Sequence, residues 1–141
     1  PFLHGDPRVA RLWPNFKEEE VTFFKETGMF PIMHIMGIKK FIVDQYPWVP
    51  INIYHALNKA KNIALKKLIN PRIVPLAWYR EFWEEQQGLL GDDPWEYGLT
   101  KQNRKTLQNM IQYSKEQALI KQNLSVDELF LNMDQGRKRG V

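Results

Sequence analysis

The feature that most constrains the fold of this chain is a short apolar segment at residues 32–38. It follows Gly28, which is predicted to end a helix, and it is apolar on both faces of a two-residue period. This pattern is typical of a strand in the middle of a sheet that helices cover on both sides. The sequence therefore predicts an α/β fold with one central buried strand. His34, the only ionisable side chain between Glu26 and Lys39, is predicted to be buried on it.

The rest of the sequence predicts helices, so the chain as a whole is expected to be mostly helical. Asn15 and Glu18 have the spacing of a capping box, and Ser125 and Glu128 repeat that spacing near the end of the chain. The most regular apolar stripe predicts a long helix over residues 49–69. Further helices are predicted over residues 16–27, 40–46, 75–87 and 101–118, with an irregular loop at 88–98.

The 141 residues are enough for one small domain, which the sequence divides into three parts. Residues 1–14, which contain three prolines, are predicted to be a connector. Residues 15–133 are the predicted globular portion, and residues 134–141 are predicted to be a basic, disordered tail. A central strand needs neighbouring strands, and this sequence supplies none. The globular portion is therefore expected to need a further part of the same protein.

Composition and motif spacing argue against several classes of function. The net charge is +4, but three positive charges lie together in the tail, and no nucleic-acid-binding motif is found. No apolar run approaches the ~20 residues that a membrane span needs. The chain has no cysteine, and His4, His34 and His55 are scattered. No metal site is therefore predicted within the chain, and no motif identifies a cofactor.

Residues 27–34, Thr-Gly-Met-Phe-Pro-Ile-Met-His, closely resemble a segment of the 4,5-dihydroxyphthalate decarboxylase family. The resemblance continues through Gly-Asp-Asp-Pro-Trp-Glu-Tyr-Gly at 91–98, Asn-Arg-Lys-Thr-Leu at 103–107 and Tyr-Ser-Lys-Glu-Gln at 113–117. In all it covers about residues 11–130. It implies a bilobed fold like that of type II periplasmic binding proteins. This chain would be the C-terminal portion of such a protein, and its partner would be the missing N-terminal part.

The resemblance also implies a lyase that removes one carboxylate from a dihydroxylated aromatic dicarboxylate, giving protocatechuate and CO2. Such a reaction needs an acid to protonate the ring carbon that loses CO2, and His34 is the residue that we nominate for that role. In the alternative interpretation, His34 is a core histidine that donates a hydrogen bond to a backbone carbonyl. The implied ligand is a small anionic aromatic compound, whose exact identity stays open, as does the oligomeric state.

Substrate-binding residues are predicted where the 88–98 loop meets the next helix. Backbone N–H groups at a helix start bind anions, and Arg104 can hold a carboxylate by two hydrogen bonds. Tyr97 and Asn103 adjoin it, and Thr27 belongs to the segment most like the family. In the alternative interpretation, Asn103 and Arg104 form a surface turn, Tyr97 belongs to a packing plug, and Thr27 helps to end a helix.

A second function fits the same resemblance, because many proteins of this fold are solute-binding components of ABC transporters. A secretion signal in the N-terminal part would favour that function and a periplasmic location. The absence of such a signal would favour a cytoplasmic enzyme. The sequence predicts the cytoplasmic decarboxylase first and the transporter component second.

Overall fold

A computed structural model of the protein describes residues 5–133. In this part of the chain, the regular structure consists of six α-helices and one short 3₁₀ turn. Residues 1–4 of the predicted connector and the predicted tail at 134–141 lie outside the described residues. In chain order the elements are α1 (Phe16–Thr27), α2 (Lys40–Gln45), α3 (Trp48–Leu68), the 3₁₀ turn (Pro71–Ile73), α4 (Tyr79–Leu90), α5 (Lys101–Glu116) and α6 (Val126–Leu129).

The predicted central strand is absent, because residues 28–39 form no regular secondary structure. Met33 and Ile35, expected to be buried in a sheet, are each 71% exposed. A strand exists only through hydrogen bonds to a neighbouring strand, and residues 5–133 contain no strand at all. The predicted α/β fold with one central buried strand, like that of a bilobed type II periplasmic binding protein, is therefore wrong. The described architecture is helical.

The first helix, α1, confirms one predicted boundary signal and contradicts another. Its end is as expected: Gly28 takes a left-handed conformation with φ of 66°, and its N–H donates to the carbonyl of Phe24 at 2.7 Å. At the other end, the Asn15 side chain makes no capping hydrogen bond. The φ and ψ of Asn15 are −93° and 45°, whereas a side-chain cap normally needs an extended backbone at that position. The first predicted capping box is therefore wrong.

The long helix α3 confirms the most regular pattern in the sequence, although it is shifted by one residue from the predicted 49–69. The next helix, α4, starts at Tyr79, later than the predicted 75, because residues 75–78 form no regular helix. It also continues past Gly88, which lies within the helix, and reaches Leu90. Gly91, with φ of 81°, follows the last helical residue. The irregular loop is therefore shorter than predicted and occupies residues 91–100.

The apolar core of the described residues is small. Its buried members are Met29 after α1, Leu107 on α5 and Val126 at the start of α6. Many other large apolar side chains are exposed, among them Trp13, Trp78 and Phe41. The core lies where the end of α1 and the start of α6 meet α5, so α5 is the helix that organises this region.

Among the described residues, no helix is both long enough and apolar enough to cross a lipid bilayer.

Candidate functional site

The loop at residues 91–100 is joined to α5 by the side chain of Asn103. Its amide Nδ2 donates to the carbonyl oxygens of Glu96 at 2.7 Å and Gly98 at 2.9 Å. In return, the backbone N–H of Asn103 donates to the hydroxyl of Thr100 at 3.1 Å, which caps the start of α5. The predicted substrate-binding residue Asn103 therefore uses both of its amide hydrogens to close the loop onto the helix.

The same loop is held against α3 at a position where only glycine fits well. Gly98 has φ of 94°, and a Cβ placed there would lie 2.9 Å from the hydroxyl oxygen of Tyr54. That hydroxyl donates to the carbonyl oxygen of Tyr97 at 3.3 Å. The backbone of residues 97–98 therefore approaches α3 closely, and the position of Tyr97 is set from the side of that helix.

Lys61, on α3, makes three contacts with this loop. Its side chain is only 10% exposed, and its Nζ lies 2.5 Å from Oδ2 of Asp93. The same Nζ donates to the carbonyl oxygen of Trp95 at 3.0 Å and lies 4.4 Å from the centre of the Tyr97 ring. The other carboxylate oxygen of Asp93 is buried without a hydrogen-bond partner among the described residues.

Lys61 was not among the site residues that the sequence predicted. A signal was present in the spacing, because Lys61 follows Leu57 by four residues and precedes Leu65 by four. Residues four apart lie on the same side of a helix. A lysine that interrupts an apolar stripe in this way is expected to have a partner, since lysine is rarely buried unpaired.

The end of α1 is attached to α5 by a second group of contacts. Nζ of Lys105 donates to the carbonyl oxygen of Thr27 at 2.7 Å, and the side-chain amide of Gln102 donates to the carbonyl oxygen of Gly28. The hydroxyl of Thr27 donates to the carbonyl oxygen of Phe23 at 2.6 Å and accepts from the N–H of Met29 at 3.1 Å. The hydroxyl of Thr27 is thus engaged in ending α1, as its alternative interpretation expected.

Arg104 makes the predicted two-point grip on a carboxylate, but the carboxylate belongs to the same chain. Its Nη2 lies 2.7 Å from Oδ1 of Asp127, and its Nη1 lies 3.1 Å from Oδ2. These hydrogen bonds hold the pKa of Asp127 below its usual range and raise the pKa of Arg104. The pair links α5 to α6, so a ligand carboxylate would have to displace that of Asp127 in order to form these two hydrogen bonds with Arg104.

His34 lies in the irregular segment at 28–39 and is exposed, so its predicted burial is wrong. Its burial was inferred from the strand, and without a sheet nothing in the described part of the chain covers it. The described structure gives its ring no hydrogen-bond partner, so the alternative of a core histidine bonded to a backbone carbonyl is not what is observed. The imidazole of His34 is therefore accessible to solvent.

The structure therefore brings four of the five predicted site residues to the first turns of α5: Thr27, Tyr97, Asn103 and Arg104. Lys101 and Lys105 add two cations there, and their spacing of four places them on one face of the helix. No contact joins His34 to this group within residues 5–133. Exposed cations of this kind are suited to binding a carboxylate anion, and the partly exposed ring of Tyr97 lies on the loop that leads into the helix. In the described part of the chain, no three His, Cys, Asp or Glu side chains are grouped to hold a metal ion.

An open groove of about 280 Å³ lies between α1, the irregular segment and α5. Leu107, Met110 and Tyr113 of α5 line one side of it, and Phe23 and Ile32 line the other. The groove is mostly apolar, and through Pro31 and Ile32 it borders the irregular segment that carries His34.

Comparison with known proteins indicates a distant relationship. No protein-family model matches the sequence. The chain is 27% identical over 131 residues to a protein of Comamonas testosteroni that is named 4,5-dihydroxyphthalate decarboxylase. The match covers 92% of this chain and 39% of that protein, so the chain spans about two fifths of the length of its relative.

Proposed function

We propose that this protein is a decarboxylase-like lyase that acts on a hydroxylated aromatic dicarboxylate. The observation that carries the proposal is its similarity, over 131 residues, to a protein named 4,5-dihydroxyphthalate decarboxylase. A match covering 92% of the chain takes in both the His34 segment and α5. The basic face of α5 and the exposed ring of His34 provide the two kinds of side chain that such a reaction needs.

The proposed reaction replaces a carboxylate on an aromatic ring with a proton. The bond between the ring carbon and the carboxylate carbon breaks, CO2 leaves, and the electron pair stays on the ring carbon. A ring hydroxyl para to the departing carboxylate donates electron density, which makes that carbon easier to protonate. The site must therefore bind a dianion with cations and supply one proton to carbon.

We assign the proton donor to His34, as the sequence predicted. Histidine is the side chain whose ordinary titration range lies nearest neutral pH, and the ring of His34 is exposed and has no partner in the described part of the chain. In the loaded site, a further segment of the protein or the ligand itself would have to bring the ring carbon to within hydrogen-bond reach of this imidazole.

We assign carboxylate binding to Lys101, Arg104 and Lys105. Lys105 donates one hydrogen bond to Thr27 and has two further N–H groups, whereas Arg104 would exchange the carboxylate of Asp127 for that of the ligand. Tyr97 would contact the aromatic ring. For Asn103 and Thr27 we propose a shaping role, because the amide hydrogens of Asn103 and the hydroxyl of Thr27 are already engaged within the chain.

The test is an assay of the protein in its natural full length with 4,5-dihydroxyphthalate, monitoring CO2 and protocatechuate. His34→Asn removes proton transfer near neutral pH, and turnover should fall by about 10²–10⁴-fold, the usual contribution of a positioned acid. His55→Asn on α3 is the matched control: His55 is exposed and its ring neighbours that of Tyr54, so this change should lower turnover far less than His34→Asn.

One result would count against the decarboxylase proposal, and another would count only against the role of His34. Tight binding of aromatic dicarboxylates with no release of CO2 would favour a solute-binding protein instead. Near-normal turnover of His34→Asn per folded molecule would remove His34 from the mechanism while leaving the decarboxylase assignment in place.

A further inference from the structure

Lys61 is the most enclosed charged side chain of the loop region, with 10% of its side-chain surface exposed, and its ammonium group contacts three groups of that loop. An ammonium group has three N–H donors and no acceptor. In Lys61, one faces Oδ2 of Asp93, one faces the carbonyl oxygen of Trp95, and the third side of the group faces the ring of Tyr97. Because these three groups enclose its ammonium group, Lys61 is poorly placed to bind a ligand carboxylate, unlike the exposed Lys101 and Lys105 on α5.

The contacts of Lys61 fix the orientation of Tyr97. The attraction between a cation and the face of an aromatic ring depends on the ring lying across the charge, which restrains how the Tyr97 side chain can rotate. The backbone of Tyr97 is held separately, through the hydroxyl of Tyr54. With both its backbone and its ring held from the side of α3, Tyr97 still keeps 40% of its surface exposed.

We propose that Lys61 is a positioning residue that holds Tyr97 in place as the contact for the aromatic ring of the ligand. This inference rests on the proposed function, because it takes the ligand to be an aromatic anion. Aromatic rings pair in offset or edge-to-face arrangements, so a ring that is already oriented binds a second ring better than one that rotates freely. Lys61 thus acts on the ligand through Tyr97 and touches neither the ligand nor the reacting carbon.

The experiment compares Lys61→Met with Lys59→Met in the full-length protein. Methionine keeps an unbranched side chain one heavy atom shorter than that of lysine and removes its charge, and Lys59 is an exposed lysine of the same helix. Two quantities are measured: amide hydrogen exchange of residues 91–100, and the dissociation constant of 4,5-dihydroxyphthalate. We expect Lys61→Met alone to speed exchange in the loop. We also expect it to raise Kd by about three- to tenfold, the loss of roughly one aromatic contact.

Kinetics provide a readout that a merely structural role would not give. Tyr97 is proposed to bind the aromatic ring of the ligand and not to transfer the proton. KM should therefore rise by the same three- to tenfold as Kd, the loss of about one aromatic contact, while kcat per folded molecule stays nearly unchanged. Lys61→Arg keeps the positive charge near the ring and should recover most of the affinity. If Lys61→Met folds poorly, Asp93→Asn removes the ion pair without removing Lys61 and should give the same pattern in weaker form.

The outcomes separate this inference from the proposed function. Loop exchange in Lys61→Met equal to that in Lys59→Met would overturn the positioning role. Faster loop exchange with an unchanged Kd would overturn the link between Tyr97 and the ligand. If the unsubstituted protein binds no aromatic dicarboxylate, the proposed function fails and the ligand part of this inference fails with it, while the exchange measurement still decides whether Lys61 holds the loop.

Discussion

The guanidinium of Arg104 and the carboxylate of Asp127 face each other through two hydrogen bonds, with Nη2 and Oδ1 2.7 Å apart. This pair joins the first turns of α5 to the short helix α6. In the same helix, the Ser125 hydroxyl and N–H both donate to Oε2 of Glu128, which holds the pKa of Glu128 below its usual range. Two adjacent carboxylates of α6 are therefore stabilised in their charged form by the fold.

Acid is expected to weaken the attachment of α6. Both Asp127 and Glu128 have a lower pKa in the folded state than in the unfolded chain, so the folded state binds fewer protons. Their contribution to stability is complete above the ordinary carboxyl range and is lost as the pH falls through the lowered values, below about pH 4. The measurement is an NMR titration of the two carboxylates together with amide exchange of residues 126–129. A titration of Asp127 within the ordinary range would contradict the pair.

Gly98→Ala is expected to destabilise the loop. The new Cβ would meet the Tyr54 hydroxyl at 2.9 Å, and φ of 94° is unfavourable for any L residue with a side chain. Together these predict a loss of about 1–3 kcal/mol in the free energy of unfolding, measured by urea denaturation.

Gly88→Ala is the control, because Gly88 lies within α4 and has open space around it. It should stabilise the protein by about 0.5–1 kcal/mol, the usual helix preference of alanine over glycine. Combining Gly98→Ala with Tyr54→Phe should recover part of the loss. Equal effects of the two glycine substitutions would show that the close approach to Tyr54 is absent.

Leu107→Ala tests whether the small core organises the fold. Leu107 is 3% exposed at the centre of α5, so its truncation should lower the free energy of unfolding by about 2–5 kcal/mol. Leu119→Ala, at a side chain that is 73% exposed, should change it by less than about 0.5 kcal/mol. Chemical denaturation followed by circular dichroism measures both, and similar losses for the two variants would be inconsistent with a core at Leu107.

Thr100→Ala and Asn15→Ala test the two helix starts against each other. The hydroxyl of Thr100 accepts a hydrogen bond from the N–H of Asn103, whereas the side chain of Asn15 makes no capping hydrogen bond. Loss of the first cap should destabilise the protein by about 0.5–2 kcal/mol. The change at Asn15 should be near zero. If Asn15→Ala lowered the melting temperature more than Thr100→Ala did, the Asn15 side chain would cap α1 as the sequence predicted.

Local signals in the sequence predicted several of the helix boundaries. Gly28 ends α1 because glycine adopts φ of 66° without strain, and this depends only on the residue and the turn before it. The Ser125–Glu128 capping box forms as predicted because its partners are three residues apart. The late start of α4 was missed because a proline marks only where a helix can begin, and here residues 75–78 stay irregular, so that the helix begins at Tyr79.

The prediction at residues 32–38 failed for a physical reason that applies to every strand. An apolar pattern with a two-residue period indicates which side chains would be buried if a sheet were present. It does not supply the backbone hydrogen bonds of a neighbouring strand. Within residues 5–133 there is no such neighbour, so the segment is irregular and His34 is exposed.

The sequence by itself determined where most helices lie and which side chains can carry charge near the start of α5. Only the tertiary structure decided what those side chains contact. Lys61 meets Asp93 across 32 positions of sequence, Arg104 meets Asp127 across 23, and Lys105 meets Thr27 across 78. A cation can pair with any carboxylate or carbonyl within reach, so its own residue type does not specify the partner. The packing of α1, α3 and α6 around α5 and its loop makes that choice, because it alone sets which oppositely charged or polar groups come within hydrogen-bond distance.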